Sequence, residues 1–348
     1  VGQTGLSSRG SATLHDVARE AGVSLATASR VLNGSTRKVA EAYRERVEHA
    51  AKRLGYTANL SAQATARGTS AIVALLVADI ADPYFGKIAS GVARGADEAG
   101  LVVTVAITER DPARELRLVR ALRGQRPRGL ILAASRTANE IGPELADELD
   151  LIAASGGTVV ALGDGAPGVR TVTIDNRGGA RALGAALAER GYRDAIVLAA
   201  AEGVVTSDDR LAGFAEGFAS GGGAEPRVYR GGFSREAGGE SMTRALADGI
   251  APGTVVFGIS DVVAIGALTA LRLAGREPAG DIALAGFDDI PTSRDVSPTL
   301  TTVRVPLEEV GYRALRETVN GGVDSGDGAD AASLALEVVL RDSTPVRA

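Results

Sequence analysis

The stretch TLHDVAREAGVSLATASRVLNG, Thr13 to Gly34, decides how the front of this chain is read. Thr13-Leu14-His15-Asp16 has the Thr-x-x-Asp pattern of a capping box, where two side chains satisfy backbone N–H groups at a helix start. Leu14, Val17, Ala18 and Ala21 follow at helical spacing, and Gly22 supplies the stop. Val23 leads into Ser24, a good N-cap for a second helix over about Leu25 to Leu32. Two short helices joined by a turn of about four residues make a helix-turn-helix. On the second helix Ala28, Val31 and Leu32 are expected to point inward. Leu25, Ala26, Ser29, Arg30 and Asn33 fall on the other side. Small residues there let a backbone approach a groove, and Arg30 can offer its guanidinium to a guanine edge. Ser24, Thr27 and Ser29 suit phosphates, which helix N-termini also attract, and Thr13 is a further candidate for DNA contact. A third helix is expected to carry Tyr43, Val47, Ala50, Ala51 and Leu54 on its apolar stripe and to end at Gly55. Arg44, Arg46, Lys52 and Arg53 are expected on its exterior.

Charge supports a polyanionic partner for this head. Residues 1–67 hold ten Lys/Arg against five Asp/Glu, a net of +5, while the whole chain of 348 residues carries −5. A basic head on an acidic body is the footprint of a nucleic-acid-binding module. There is no cysteine, which excludes disulfides and thiolate metal sites and suits a reducing cytoplasm. The only two histidines, His15 and His49, lie in the head, so histidine-based triads and metal sites are excluded from the rest. Val1 to Ser11 lacks the apolar segment of a signal peptide and reads as a disordered tail. No apolar run approaches the roughly 18 residues that span a bilayer.

Beyond residue 70, short apolar runs alternate with helical segments. The runs are Ile72–Val77, Val102–Ala106, Gly129–Ala133, Val159–Leu162, Ala195–Ala199, Thr254–Phe257 and Ile282–Phe287. Runs of this length suit strands buried on both faces, and the intervening helices imply parallel βαβ units. No strand leads into G-x-G-x-x-G, a P-loop or a G-x-S-x-G elbow, so the nucleotide-binding and hydrolase readings lack their motifs.

Thr13–Gly34 closely resembles the head of the lactose/galactose-repressor (LacI/GalR) family, and the resemblance continues along almost the whole body. Ile80-Ala81-Asp82-Pro83-Tyr84-Phe85 looks like its first pocket loop, and Asp208-Asp209-Arg210-Leu211-Ala212-Gly213-Phe214 like a second landmark. Gly286-Phe287-Asp288-Asp289-Ile290-Pro291 is a third, followed by Leu300-Thr301-Thr302-Val303. The resemblance implies a tail at 1–11, a helix-turn-helix domain at 12–58, a hinge at 59–69 and an effector-binding and dimerisation domain at 70–348. Within the last, two Rossmann-like lobes are implied, as in periplasmic sugar-binding proteins. The N-lobe would take about 70–172 plus 301–331, and the C-lobe about 173–300 plus 332–348.

The implied function is that of a cytoplasmic, homodimeric repressor, not an enzyme, on a near-palindromic operator. Leu25, Ala26 and Arg30 would read bases, with Asn33 beside them and Asn59, Gln63 and Thr65 in the hinge. A sugar-like or nucleoside-like effector would sit between Asp82, Tyr84, Phe85, Ser135, Thr206, Arg210, Phe233, Asp261 and Asp288. There carboxylates accept hydroxyl hydrogens, an arginine donates back and rings cover apolar faces. No cofactor, metal or membrane partner is implied. A sugar-binding transport component and a small-molecule enzyme are the alternatives. The chain departs from the family at Gln63, where an arginine is usual, and at Thr65, where a leucine wedges the minor groove. Weaker operator bending is therefore expected. Ala28 replaces a common valine, Ser260 a usual asparagine, and Ala133 a polar ligand contact of some members.

Overall fold

The computed structural model describes residues 12–32, 39–57, 70–134, 142–163, 169–320 and 334–347. The chain divides into two units, Val1–Ser70 and Ala71–Ala348.

In the first unit, α1 (Leu14–Ala21), α2 (Leu25–Leu32) and α3 (Glu41–Leu54) close around a small core. Val17, Ala18, Ala21, Ala28, Val47, Ala50 and Ala51 fill it, with Leu14, Val23, Val31, Leu32, Leu54 and Tyr56 at its edge. The capping box forms as its residues dictate: Thr13 Oγ1 accepts from Asp16 N at 3.3 Å and Asp16 Oδ2 accepts from Thr13 N at 3.0 Å. Gly22 and Gly55 end their helices at φ 61° and 62°, left-handed values that cost a glycine little. Two expectations for α3 are corrected. Tyr43 leaves the apolar stripe and is 47% exposed, because the core it would join is already closed by alanines. Arg46 is no mere exterior charge, since its guanidinium donates to the Ala21 and Gly22 carbonyls and ties α3 to the turn.

The second unit is α/β. Its elements are β1 (Ile72–Val77), α4 (Pro83–Glu98), β2 (Val102–Ile107), α5 (Pro112–Arg123), β3 (Gly129–Leu132), α6 (Pro143–Ala154), β4 (Thr158–Leu162) and β5 (Arg170–Val172), followed by α7 (Asn176–Glu189), β6 (Ala195–Ala200), α8 (Val205–Ser220), β7 (Arg227–Gly231), α9 (Arg235–Ala247), β8 (Val255–Gly258), α10 (Asp261–Leu273) and β9 (Ala283–Ala285). The chain ends through α11 (Thr292–Asp295), β10 (Thr302–Arg304), α12 (Leu307–Asn320) and β11 (Glu337–Val339). One parallel sheet has the order β2-β1-β3-β4-β5 and the other β7-β6-β8-β9; β10 and β11 pair antiparallel. We call the two halves built on these sheets the N-lobe and the C-lobe. Alternation along β1 explains its apolar sequence: Val73, Leu75 and Val77 enter one core, and Ala74 and Leu76 the core on the opposite face.

Helices flank the sheets in pairs brought together by reciprocal glycines. A methyl group at Gly91 of α4 would overlap the Glu308 carbonyl of α12, and one at Gly311 of α12 would overlap the Ile88 carbonyl of α4. The same exchange joins α7 to α8 through Gly184, Gly213 and Gly217, and α9 to α10 through Gly238 and Gly266.

The lobes are joined where chain crosses between them. The β5–α7 link is one crossing and β10, leading into α12, is another. The chain after β11 returns to the C-lobe, where Ser343 accepts from Leu284 N and its hydroxyl from Thr301 N.

Candidate functional site

Two sites are assembled, one in each unit. In the head, α2 buries Ala28 completely while Leu25, Ala26 and Arg30 are exposed. Ser24 Oγ accepts from Thr27 N at 3.1 Å and shares a proton with Thr27 Oγ1 at 2.8 Å, which leaves one hydroxyl proton of the pair for an outside acceptor. Ser29 is half-buried. The hydroxyl proton of Thr13, a DNA-contact candidate, goes to Asp16 Oδ2 at 2.7 Å. That bond also holds the Asp16 carboxyl below the usual range. Asn33, Asn59, Leu60, Gln63 and Thr65 lie outside the described residues, so the hinge expectation stands as read from the sequence.

In the body, a cavity of about 210 Å³ opens between the carboxyl ends of the two sheets, the usual position for a ligand in open α/β folds. Thr108, Arg110 and Ala134 line it from the N-lobe, and Ala200, Val204 and Phe233 from the C-lobe. Of the residues expected from the sequence, only Phe233 lines this space directly; Asp82, Tyr84, Phe85, Thr206, Arg210, Asp261 and Asp288 are not among its lining residues, and Ser135, next to Ala134, lies outside the described residues. Thr206 sits half-buried in the first turn of α8.

Asp82 and Tyr84 of the N-lobe lie within electrostatic range of the Arg210–Asp288 pair of the C-lobe. Asp82 caps α4, its Oδ1 accepting from Tyr84 N at 2.9 Å. Burial pushes the Asp82 carboxyl up, opposed by its cap bond and by the charges of Arg110 and Arg210. Burial also raises the Tyr84 phenol, which feels Asp288 and Arg210 across the lobe boundary. Phe85 packs edge-on against Tyr84, with ring centroids 5.0 Å apart, and is core. Arg210 is 2% exposed, and three of its five N–H bonds are engaged: Nε to Asn176 Oδ1 at 2.9 Å, Nη1 to the Ile259 carbonyl at 2.7 Å and Nη2 to Asp288 Oδ1 at 3.0 Å. Its Cζ lies 3.9 Å from the Phe287 ring centroid.

Asp288 takes φ 114° and Asp289 φ 53°, both left-handed. The Asp288 backbone is stitched to the crossing strand, its N–H donating to Val303 O at 2.8 Å and its carbonyl accepting from Val305 N at 3.4 Å. Burial raises the Asp288 carboxyl to about 7, with Arg210 opposing. Burial acts the same way on Asp289, but hydrogen bonds from Arg341, Arg304 and Arg294 win and hold it well below the usual range.

The structure separates Asp261 from the cavity lining. It is fully buried, Oδ1 accepts from Thr302 Oγ1 at 2.6 Å and Oδ2 from Ile290 N at 2.9 Å, so it braces α10 to the crossing strand. Burial and the nearby Asp288 raise it well above the usual range.

These shifts fix a sign for pH. Folded Asp288 binds its proton more tightly than the unfolded chain does, so its stabilisation is complete below about pH 4 and is lost as pH rises through about 7. Asp261 and Asp82 act in the same direction. The urea midpoint is expected to fall between pH 5 and pH 8, and Asp288→Asn to flatten that slope. A midpoint that rises over this range would show that Arg210 outweighs burial.

Arg110 was missed by the sequence reading. Its position just past an apolar run, matching Asp82 past β1, was the available signal. Among the described residues no His/Asp/Glu cluster could hold a metal ion, and no helix is long and apolar enough to cross a membrane.

Comparison with known proteins gives the architecture its class and then its family. Residues 13–59 match the bacterial regulatory proteins of the lacI family, and residues 185–344 a periplasmic binding protein-like domain. The chain is 33% identical to the HTH-type transcriptional regulator CelR of Thermobifida fusca, over 94% of this chain and 96% of that one. A solved CelR–cellobiose complex is 30% identical, with TM-score 0.67 over 95% of this chain and 99% of its own. The lac repressor dimer bound to operator and an anti-inducer shares the fold at TM-score 0.80, with 24% identity over 96% and 99%. A helix-turn-helix unit and a periplasmic-binding-protein-like unit on one chain define a transcriptional regulator. The chain belongs to the LacI family.

Proposed function

We propose that this protein is a homodimeric repressor that reads a near-palindromic operator through α2 and is controlled by a small sugar-like or nucleoside-like ligand between its lobes. The observation that carries the reading is the pairing, on one chain, of an α2 exposed at Leu25, Ala26 and Arg30 with a cavity at the carboxyl ends of two parallel sheets. The lac repressor dimer on its operator and CelR with cellobiose support the two halves of this reading. For a dimer, the edge strand β2 supplies an apolar margin, Val102 being 53% and Val105 41% exposed. Phe233 would cover an apolar face of the ligand, and Arg210, Asp288, Asp82, Tyr84 and Thr206, which lie outside the present lining, would address its hydroxyls together with Ser135 once the ligand reaches past that lining. Asp261 and Phe85 would shape the site from behind. The protein would act in the cytoplasm by binding, without catalysis. Ligand would bias two lobe arrangements, and it can do so only by its differential affinity for them.

The test begins with a duplex selected from a random pool. Binding is expected to fall with salt at a log–log slope of about −0.9 per phosphate contact. Arg30→Ala is expected to weaken binding to the selected duplex by roughly 5- to 150-fold, the loss of one bidentate base contact at about 1–3 kcal/mol. A flat salt response with unchanged Arg30→Ala affinity overturns the DNA-reading half. For the ligand, thermal unfolding is followed against sugars, polyols, nucleosides and their phosphates. A compound at 100 times its Kd adds about 2.7 kcal/mol of stability. A panel without a shift counts against the sugar-like pocket.

A further inference from the structure

Arg110 stands out among the cavity-lining residues because it reaches the opposite lobe. It lies in the turn after β2, closed by Asp111 N donating to Thr108 O at 3.0 Å. Glu109 and Arg110 both adopt left-handed backbone, at φ 55° and 58°. That conformation is unfavourable for any residue with a Cβ, so it persists only where surrounding contacts enforce it. Here Glu109 N donates to Ala78 O at 3.0 Å, its carboxylate pairs with Arg114 at 3.0 Å, and Arg114 Nε donates to Ile107 O at 2.8 Å. Asp111 then caps α5, accepting from Ala113 N at 2.9 Å. The turn is thus pinned on both sides of Arg110.

The side chain so presented crosses the cleft. Arg110 Cζ lies 4.8 Å from the ring centroid of Phe233, which follows β7 in the C-lobe. Both residues line the same cavity. Arg110 is also near enough to Asp82 and Tyr84 for its charge to favour their ionised forms. The N-lobe therefore spends two strained backbone positions on holding one guanidinium against a ring of the other lobe.

We propose that Arg110 is the closing residue of the cleft: its stacking on Phe233 biases the two lobes toward the arrangement that covers the cavity. This rests on the reading of that cavity as the ligand site, and it makes Arg110 a determinant of how readily a ligand enters. A guanidinium–ring contact of this kind shifts a two-state equilibrium by roughly 2- to 30-fold, depending on its desolvation.

The chain lacks cysteine and tryptophan, so introduced probes report alone. Spin labels are placed at Arg117→Cys in α5 and Glu236→Cys in α9, exposed positions in opposite lobes. Pulsed electron paramagnetic resonance on the full chain, diluted with unlabelled protein and free of ligand, reads the interlobe distance. Arg110→Ala and Phe233→Leu are each expected to raise the longer-distance population by roughly 2- to 30-fold, and the double variant to add nothing further. Arg110→Lys, which keeps the charge but not the planar stack, is expected to fall between. Unchanged unfolding midpoints separate opening from general damage. An interlobe distance that ignores both single variants, or variants whose effects simply add, overturns the proposal. Cellobiose and the compound panel are then added to the labelled protein. Failure of all of them to alter the distances would sink the sugar-like ligand while leaving the Arg110 result intact.

Discussion

Replacing Arg210 with alanine is expected to destabilise the two-lobed unit by about 3–5 kcal/mol, the usual cost of stripping one partner from a buried ion pair. The guanidinium is 2% exposed and Asp288 4%, so water cannot take over the lost bonds. Removing it leaves Asp288 unpaired and frees the Asn176 side chain and the Ile259 carbonyl from their bonds to Arg210. The Phe287 ring also loses the group stacked on it. The carboxyl, already raised to about 7, should rise further, so the variant's stability falls through a higher pH window than the parent's. Adding Asp288→Asn removes the orphan charge and is expected to recover much of the loss. Urea unfolding of the single and double variants at pH 5 and pH 8 checks this. A single variant with the parent's midpoint would mean that the pair is far better hydrated than its burial implies. The head keeps its own core, so its helices should survive the change. On the proposed function, DNA binding then persists and ligand response disappears.

The second large effect is a sign reversal within one helix. Gly86 and Gly91 both lie in α4, and helix propensity alone favours Ala at each by up to about 1 kcal/mol. At Gly86 an added Cβ meets nothing within 4 Å, so Gly86→Ala is expected to stabilise by roughly that amount. At Gly91 the methyl would overlap the Glu308 carbonyl, which belongs to the backbone of α12 and cannot rotate away. Overpacking of this kind costs about 1–3 kcal/mol, and the rigid partner puts Gly91→Ala at the upper end. Equal midpoint shifts for the two variants would show that α4 and α12 can part freely.

The parts of the fold most legible in the sequence were those buried on both faces. β1 runs over Ile72–Val77, the residues of its apolar run, because both of its alternating sets face a core. β7, Arg227–Gly231, gave no such signal: it is an edge strand, half-exposed, with arginines at two of its five positions. In the head, Thr13, Gly22 and Ser24 were legible because caps depend on local chemistry. Tyr43 was misplaced because helical spacing selects a stripe but not how far the core extends along it. Glycine misled in the same way. Read along the chain it weakens helices, whereas in Gly91, Gly217 and Gly266 it records a neighbour's backbone that no local pattern contains. Asp261 and Arg110 mark the limits for the candidate site. One is a carboxylate whose bonds turn inward, and the other an arginine whose partner lies more than a hundred residues away.

Asp288 belongs at once to the ion pair with Arg210 and, through its bonds to Val303 and Val305, to the strand that passes from one lobe to the other. On the proposed function, where ligand biases two lobe arrangements, the carboxylate is mounted beside the pivot and not on the arm. A small displacement beside a pivot becomes a wide arc at the far edge of a rigid lobe. The backbone-to-backbone helix pairs stiffen each arm, so such a displacement at Asp288 would be delivered as rotation instead of being absorbed along the way.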